Sequence, residues 1–527
     1  MKTPGVYIVE KNAFPNSVVE ASTAIPAFIG ITEKAQNGAD SIANKPWKIA
    51  SMTEFQQYFG GAPHPTFTLS VQEKADKAFF AVPSPDKKKF LCVEDKNPSF
   101  SLYYQMVMFF ANGGGTCYIV SVGTYDEGQV VDKKKVAVAL AALKKEQEIT
   151  MVVVPEAASV SECKDIQTQV LAHCGEMMNR FAILDVQPKG AANDPMEKQI
   201  EAFRTNIGAN YLSYGAAYYP WLNTSVLADK DIDGTVLTWD YSQAVPDIAP
   251  FFAPDSKFPA YFKSVFETVK NSQNPTPKAT PKGDGKDNGS AKKEAVAAPA
   301  LSADEVVALK NNLHNAFLQN YKGYQFIVNK VKEKLNLLPP SAAMAGLYTM
   351  VDNTRGVWKA PANVSVNFVN SPVENIDNAQ QEDLNMPMNG KAVNAIRTFP
   401  GEGIKVWGAR TLDGNSQDWR YVNVRRTMMF LEESVKNAAK AYVFEPNVST
   451  TWMNVRSMID NFLRGVWKRG GLAGSVPEDA YEIHLGLGDT MTPEDILEGI
   501  MRITVLVAVS RPAEFIEITF QQQMQKS

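Results

Sequence analysis

Five apolar runs separated by segments of helical spacing constrain this chain more than any other feature. Ala27 to Thr32, Thr116 to Val122, Thr150 to Val154, Phe181 to Val186 and Tyr211 to Tyr219 are apolar almost throughout. A strand that is apolar on both sides must be covered on both faces, as in a parallel or mixed sheet flanked by helices. The intervening segments fit that arrangement. Leu102, Gln105, Met106, Phe109 and Phe110 form a helical stripe that stops at Asn112-Gly113. Helices are predicted near Lys134 to Lys145, over Val160 to Met178, and from Asp194-Pro195 through Phe203. Trp47 to Ile49 adds a short strand, and Ser51 with Glu54 forms a capping box for a helix that Gly60-Gly61 closes.

A chain of 527 residues exceeds one ordinary core, so two or three domains are expected. Residues 271–300, rich in Pro, Gly, Lys, Asn and Ala, read as a flexible surface linker. Ser302 with Glu305 opens one long predicted helix carrying Val306, Leu309, Leu313, Phe317 and Tyr324, ended by Pro339-Pro340. The last third differs in texture. Helices are expected over Val424 to Ala441, with Met428, Leu431 and Val435 on one face, and over Trp452 to Lys468, with Val455, Ile459, Phe462 and Val466 inward. Gly470-Gly471 stops the second, and Thr492-Pro493 starts a short third helix. Met501 to Ser510 alternates cleanly, Arg511-Pro512 breaks the run, and Phe515 to Phe520 alternates again. The other end of the chain carries a matching short run, Val6 to Val9. Val6, Tyr7, Ile8 and Val9, like Phe515, Ile516, Ile518 and Phe520, are too few to bury themselves and must pair with a sheet edge, their own or a neighbour's. The expected class is therefore α/β and α+β, multidomain, with a β-arm at each end.

Composition excludes several function classes. Lys and Arg number 53 against 57 Asp and Glu, a net charge of −4, which gives no global attraction to nucleic acid or anionic membrane. No stretch approaches the roughly 18 apolar residues of a membrane span, and the first residues lack a signal-peptide apolar core. Folding in the cytosol is expected, with exit by lysis if the protein acts outside. The four cysteines, 92, 117, 163 and 174, read as small buried hydrophobes. None of the four histidines, 64, 173, 314 and 484, has a partner at a ligand spacing. No catalytic or cofactor motif is present: G-x-S-x-G, H-E-x-x-H and the Walker loop are all missing, and Gly113-Gly114-Gly115 follows a helix instead of preceding one. Asp229, Asp231, Asp233 and Asp240, with Gly234, resemble a calcium loop with Asp in place of the final Glu. The residues before it, Tyr218-Tyr219-Pro220-Trp221, are strand-like, so an exposed Asp/Gly hairpin is preferred to a metal site. Residues 402–470 carry eleven Lys and Arg against seven Asp and Glu, a solvated helical surface or a docking face for an acidic partner.

Longer motifs decide between these readings. Pro339-Pro340-Ser341-Ala342-Ala343-Met344-Ala345-Gly346-Leu347-Tyr348, continuing through Asp352-Asn353-Thr354-Arg355-Gly356-Val357-Trp358-Lys359-Ala360-Pro361, closely resembles the signature of phage tail sheath proteins. So do Gly403-Ile404-Lys405-Val406-Trp407-Gly408-Ala409-Arg410-Thr411-Leu412 and Trp419-Arg420-Tyr421-Val422-Asn423-Val424-Arg425-Arg426. Pro4-Gly5-Val6-Tyr7, Gly114-Gly115-Thr116-Cys117-Tyr118, Tyr218-Tyr219-Pro220-Trp221, Phe444-Glu445-Pro446-Asn447 and Arg511-Pro512-Ala513-Glu514-Phe515 match in order. The resemblance implies a subunit that stacks in hexameric rings, as a helical contractile sheath around an inner tube, and that also meets baseplate and terminal cap proteins and sheath paralogues. It implies no enzyme activity, no cofactor, no nucleic acid and no direct membrane insertion. It divides the chain into an N-terminal arm 1–21, an outer α/β domain 22–245, an insertion 246–338, a return of the outer domain 339–351, an inner α+β domain 352–510 and a C-terminal arm 511–527. Arg456, Arg464, Lys468 and Arg469 are then the candidate contacts to the inner tube, and a bacterial injection system is favoured slightly over a phage. An α/β nucleotide-binding enzyme and a static shell protein are the competing readings.

Overall fold

The computed structural model describes residues 18–76, 78–97, 100–126, 130–188, 195–273 and 301–519. Val6, Tyr7, Ile8, Val9 and Phe520 lie outside them. The chain divides into two compact units, one from residues up to Ala62, from 100 to Asn223 and from Leu338 onward, the other from Pro63–Pro98 and Thr224–Leu337.

The first unit is organised on a nine-stranded sheet. Its strands are β1 (Pro26–Thr32), β2 (Trp47–Ile49), β3 (Cys117–Thr124), β4 (Met151–Val153), β5 (Phe181–Asp185), β6 (Gly215–Tyr219), β7 (Val364–Ser365), β8 (Asn394–Phe399) and β9 (Gly403–Val406), in the order β7-β9-β8-β6-β5-β4-β1-β3-β2. The six central strands run parallel, and the outermost pairings at each side are antiparallel. All seven residues of β1 are buried, as the apolar run requires. Successive side chains of a strand point to opposite faces, so both faces need cover. Ala27, Ile29 and Ile31 join one core with Val136, Leu140, Ile166 and Val170, from helices α3 (Lys133–Leu143) and α4 (Cys163–Met177). Phe28, facing the other way, meets Phe109 of α2 (Leu102–Ala111) edge to face at 5.0 Å. The cysteines are all free thiols in the interior.

Two helices complete the list so far: α1 (Met52–Phe59), whose cap Ser51 accepts from the Glu54 N–H, and α5 (Met196–Asn206). The apolar run to Tyr219 begins its strand only at Gly215, because residues 212–214 form a 3₁₀ turn after Tyr211, which adopts φ 58°. α6 (Ser341–Arg355), which carries the sheath-like motif, lies against α2. A Cβ on Gly346 would overlap the Phe109 carbonyl oxygen, so that close approach needs glycine.

The second unit holds a separate four-stranded sheet in the order Leu237–Trp239, Phe67–Gln72, Phe90–Asp95 and Phe80–Pro83. Phe67, Leu69, Leu91 and Val93 turn one face toward the helices Phe258–Gln273, Ala303–Asn320 and Lys322–Leu335. Phe317 sits centrally, 5.7 Å from the rings of Trp239 and Phe262 and 4.8 Å from Phe258. Two expectations are corrected here. Residues 63–98 belong with 224–337 and not with the 22–245 domain, because the alternating strand Phe67–Gln72 pairs with Leu237–Trp239 and packs on those helices. The single helix expected from Ser302 is two, broken at Tyr321, whose φ −140° and ψ 105° are extended. Ser302 and Glu305 do form the expected capping box. Residues 271–273, at the expected linker's start, are helical. No helix among the described residues is long and apolar enough to cross a membrane.

A buried ion pair fastens the first unit internally. Arg426, in α8 (Val422–Ala439), donates to both carboxylate oxygens of Asp352 in α6 at 2.9 and 2.6 Å, and also to the Thr23 carbonyl at 2.9 Å. Its guanidinium stacks 4.7 Å above Tyr348, whose hydroxyl meets that of Tyr218 in β6 at 2.6 Å. Removing one member strands a buried charge, so Asp352→Asn is expected to lower stability by about 3–5 kcal/mol, whereas the double change Asp352→Leu/Arg426→Met recovers most of the loss. Denaturant unfolding of the variants checks this.

Candidate subunit interface

After Arg426 the chain builds a helical platform with a small sheet on it. With the short helix Asn378–Asn385 counted as α7, α8 presents Phe430 and Leu431, and α9 (Ser449–Lys468) presents Val455, Ile459, Phe462 and Val466, all buried in one core with Tyr481 and Ile483. Gly470, at φ 83°, ends α9 as its sequence position predicts. On this platform β10 (Tyr481–His484) pairs antiparallel with β11 (Thr504–Val507), in the register Tyr481↔Val507 to His484↔Thr504. Ile503, Val505, Val507 and Val509 face the core, while Thr504 and Leu506 face outward. The sheet stops at two strands, and among the described residues no strand pairs with either outer edge. A two-stranded ribbon is marginal alone, and its open edges offer rows of unpaired N–H and C=O groups.

Both ends of the described chain reach this region. At the N-terminal side Val18 packs on the platform core, the Ala21 N–H donates to Ser434 Oγ at 2.9 Å, and Glu20 pairs with Arg469. At the C-terminal side the backbone is tethered stepwise. The Ser510 carbonyl accepts from Asn423 at 3.1 Å, Arg511 donates to the Gln417 carbonyl at 2.9 Å, and Glu514 is held by three side chains. Arg410, 2% exposed, donates to both Glu514 oxygens at 3.0 and 2.7 Å; Tyr421 Oη adds a bond of 2.9 Å and Asn385 Nδ2 one of 2.7 Å. Burial would raise the Glu514 pKa, but the bonds from Arg410 and Asn385 outweigh it and hold the carboxyl below its ordinary range. Beyond it Phe515, Ile516 and Ile518 are 71%, 79% and 71% exposed. Among the described residues, 511–519 pair with no strand, so the strand expected from Phe515 is not formed there.

Residues 415–523 match the family model described as the phage tail sheath C-terminal domain. Over nearly its full length the chain is similar to the sheath of an extracellular contractile injection system, PVC, solved in the contracted state: 27% identity, 99% of this chain and 98% of that one covered, TM-score 0.58. The contracted helical sheath of the anti-feeding prophage is similar too, at 26% identity, 99% and 100% coverage and TM-score 0.59. The chain is thus similar to tail sheath proteins, by the family match at its C-terminal end and by structure along nearly its whole length. Among sequence relatives, a tail sheath protein of Vibrio phage KVP40 is 24% identical over 205 residues, 38% of this chain. A prophage major tail sheath protein described as putative, from Pseudomonas aeruginosa, is 28% identical over 137 residues, 25% of this chain. The matches span about a quarter to a third of these curated relatives, 28% and 34% of their lengths.

The four basic candidates differ in setting. Arg456 and Lys468 are exposed on α9, Arg464 pairs with Asp460 one turn earlier at 3.3 Å, and Arg469 is engaged by Glu20 and lies 5.2 Å over the Trp358 ring. Sequence reasoning missed Arg410 and Glu514 as a pair, since they stand 104 residues apart.

Two helix N-termini of the first unit, those of α2 and α6, are occupied by the protein's own acids. In α/β sheets, ligand phosphates bind beyond the carboxyl ends of the strands, on helix N–H groups. Here Glu156, fully buried, accepts from the N–H groups of Ser101 and Leu102 at the start of α2, at 2.8 and 3.1 Å, and from that of Ile31 at 2.9 Å. Asp185 accepts from the Ser341 N–H at the start of α6 at 2.8 Å. Burial pushes both carboxyls up to about 7.

The four aspartates of the calcium-like loop are engaged in other bonds. Asp229 pairs with Lys332, Asp231 accepts from the Ala228 N–H at 2.8 Å, Asp233 accepts from Thr235 and Val236, and Asp240 from Ser242. Asp229–Asp231 is a 3₁₀ turn instead of the expected hairpin, and Gly234 is needed because a Cβ there would overlap the Lys310 backbone. No group of three or more His, Cys, Asp or Glu able to hold a metal occurs among the described residues. Titrating calcium into the protein is expected to release no binding heat in a calorimeter.

Proposed function

We propose that this chain is the structural subunit of a contractile sheath: copies polymerise into a helical tube around an inner tube, and contraction of that tube drives the inner one through a target envelope. The observation that carries the reading is the pair of outer edges on the β10–β11 ribbon, unpaired among the described residues, together with an exposed apolar segment, Phe515 to Ile518, in the same unit. An extended segment adds to an exposed sheet edge through main-chain hydrogen bonds, with side chains setting the register. The edges and the projecting segment are different surfaces, so each copy gives one contact and receives another. Such a heterologous contact propagates into a helix instead of closing as a dimer. Similarity over almost the whole chain to two contracted sheaths of injection systems supports this reading and the slight preference for such a system over a phage.

In this reading residues 352–510 form the inner domain, and the arms, 1–21 and 511–527, link neighbouring copies. The arms stay paired while the bodies rotate, so the lattice changes shape without dissociating. Rings of six, an inner tube protein, a baseplate, a terminal cap and sheath paralogues are the partners we assign, with assembly in the cytosol and release by lysis. A solved structure similar to this chain, at 25% identity and TM-score 0.57, is of the anti-feeding prophage baseplate. The driving energy is stored in the extended lattice as kinetic metastability. A few kcal/mol per subunit, the scale of a modest packing change, adds up over a long sheath.

Deleting residues 1–14 or 512–527 is expected to leave a soluble protein that forms no sheaths; electron micrographs showing normal long sheaths from either truncation contradict the arm model. Charge reversal at Arg456, Arg464 or Lys468 is expected to reduce the fraction of sheaths filled with tube while α9 stays folded. Counting filled and empty sheaths in micrographs checks that.

A further inference from the structure

The tethering of the C-terminal segment ends at one residue. Ser510, Arg511 and Glu514 are bonded in turn, and among the described residues none from 515 to 519 makes a hydrogen bond. Glu514 is far more strongly held than the two before it. It takes four bonds from three partners, Arg410 approaching side-on with two parallel N–H groups, a geometry that fixes the carboxylate's orientation as well as its position. The partners are themselves fixed. Arg410 also donates to the Gly414 carbonyl at 3.4 Å, its backbone N–H donates to Asn394 Oδ1 at 2.7 Å, and Asn394 is part of β8 in the main sheet. Tyr421 pairs across an isolated bridge with Arg410 and stands immediately before α8. The clamp therefore joins the exit point of the C-terminal segment to the rigid sheet and to the helical platform at once.

Resting on the sheath reading above, we propose that Glu514 is a positioning residue: clamped by Arg410, Tyr421 and Asn385, it fixes where the C-terminal arm leaves the body, and so sets the register in which the arm pairs with a second copy of this chain. A strand's side chains alternate between faces, so register is defined by the residue at which the strand is anchored; a slip of one residue turns every side chain to the opposite face. With the anchor at 514, Phe515 is the first residue whose face is set by the clamp.

The test uses the full-length chain in three variants: Glu514→Gln, one serine inserted between Glu514 and Phe515, and two serines inserted there. The insertions leave the clamp untouched, so thermal melting of the unassembled protein should match wild type. One serine inverts the arm's faces and is expected to lower pelletable sheath at least tenfold. Two serines restore the alternation and should recover part of it. Insertions that both assemble with wild-type yield and helical pitch overturn the proposal. Limited proteolysis of unassembled protein isolates the clamp itself: within residues 508–527 wild type should be cut only beyond Glu514, and Glu514→Gln additionally within 511–514. Identical cleavage maps for the two also overturn it. A wild-type chain that never assembles defeats the sheath reading, and the proteolysis then still decides whether the clamp holds the arm.

Discussion

Backbone N–H and C=O groups must find partners, and two strands on a platform leave half of theirs unanswered. The β10–β11 ribbon is well founded underneath, since Ile483, Val505 and Val507 are set into the core formed by α8 and α9. Among the described residues no strand pairs with either of its outer edges. A long exposed edge is a hazard in a protein meant to remain single. In a protein meant to polymerise it is a specific adhesive, because strand pairing fixes direction, register and spacing together. In the proposed function the apolar segment past Glu514 is the complementary piece.

A lattice joined by such links can change shape only if the bodies it joins are stiff. The first unit has the required construction. Arg426 reaches Asp352 on α6, Thr23 at the entering chain and the Tyr348 ring in one buried network, and Tyr348 continues it to β6. Charges buried this deeply permit little relative motion of α6 and α8, since any separation exposes an unpaired ion to an apolar interior. Motion is left to the segments outside the network. Glu156 and Asp185, seated on helix N-termini where an α/β enzyme would hold a phosphate, fit a sheet that serves as a scaffold.

The sheet was legible because its signals are local. The run from Ala27 to Thr32 is apolar at nearly every position, and only burial on both faces accounts for that. Helix stops at Asn112-Gly113 and Gly470-Gly471 were readable for the same reason, each being a matter of a few adjacent dihedrals. Long-range partnerships were not. Phe67 to Gln72 alternates instead of running apolar, a difference in texture that separates it from its neighbours in sequence, but nothing local says that it pairs with Leu237 to Trp239. The break at Tyr321 hides inside a helical pattern that is sound on both sides of it. Arg410 and Glu514 each fell within motifs noticed for resemblance, and their bond was invisible because it closes a loop of 104 residues. The run from Phe515 reads as a strand, but residues 515–519 pair with no strand among the described residues.

Electron cryo-microscopy of filaments assembled from the intact chain tests the central claim most directly. Density should show residues 515–519 as a strand hydrogen-bonded along β10 or β11 of an adjoining copy, so that the ribbon has at least three strands. A map in which copies meet through side-chain faces alone, both ribbon edges remaining bare and the C-terminal segment folded back on its own body, would contradict the account.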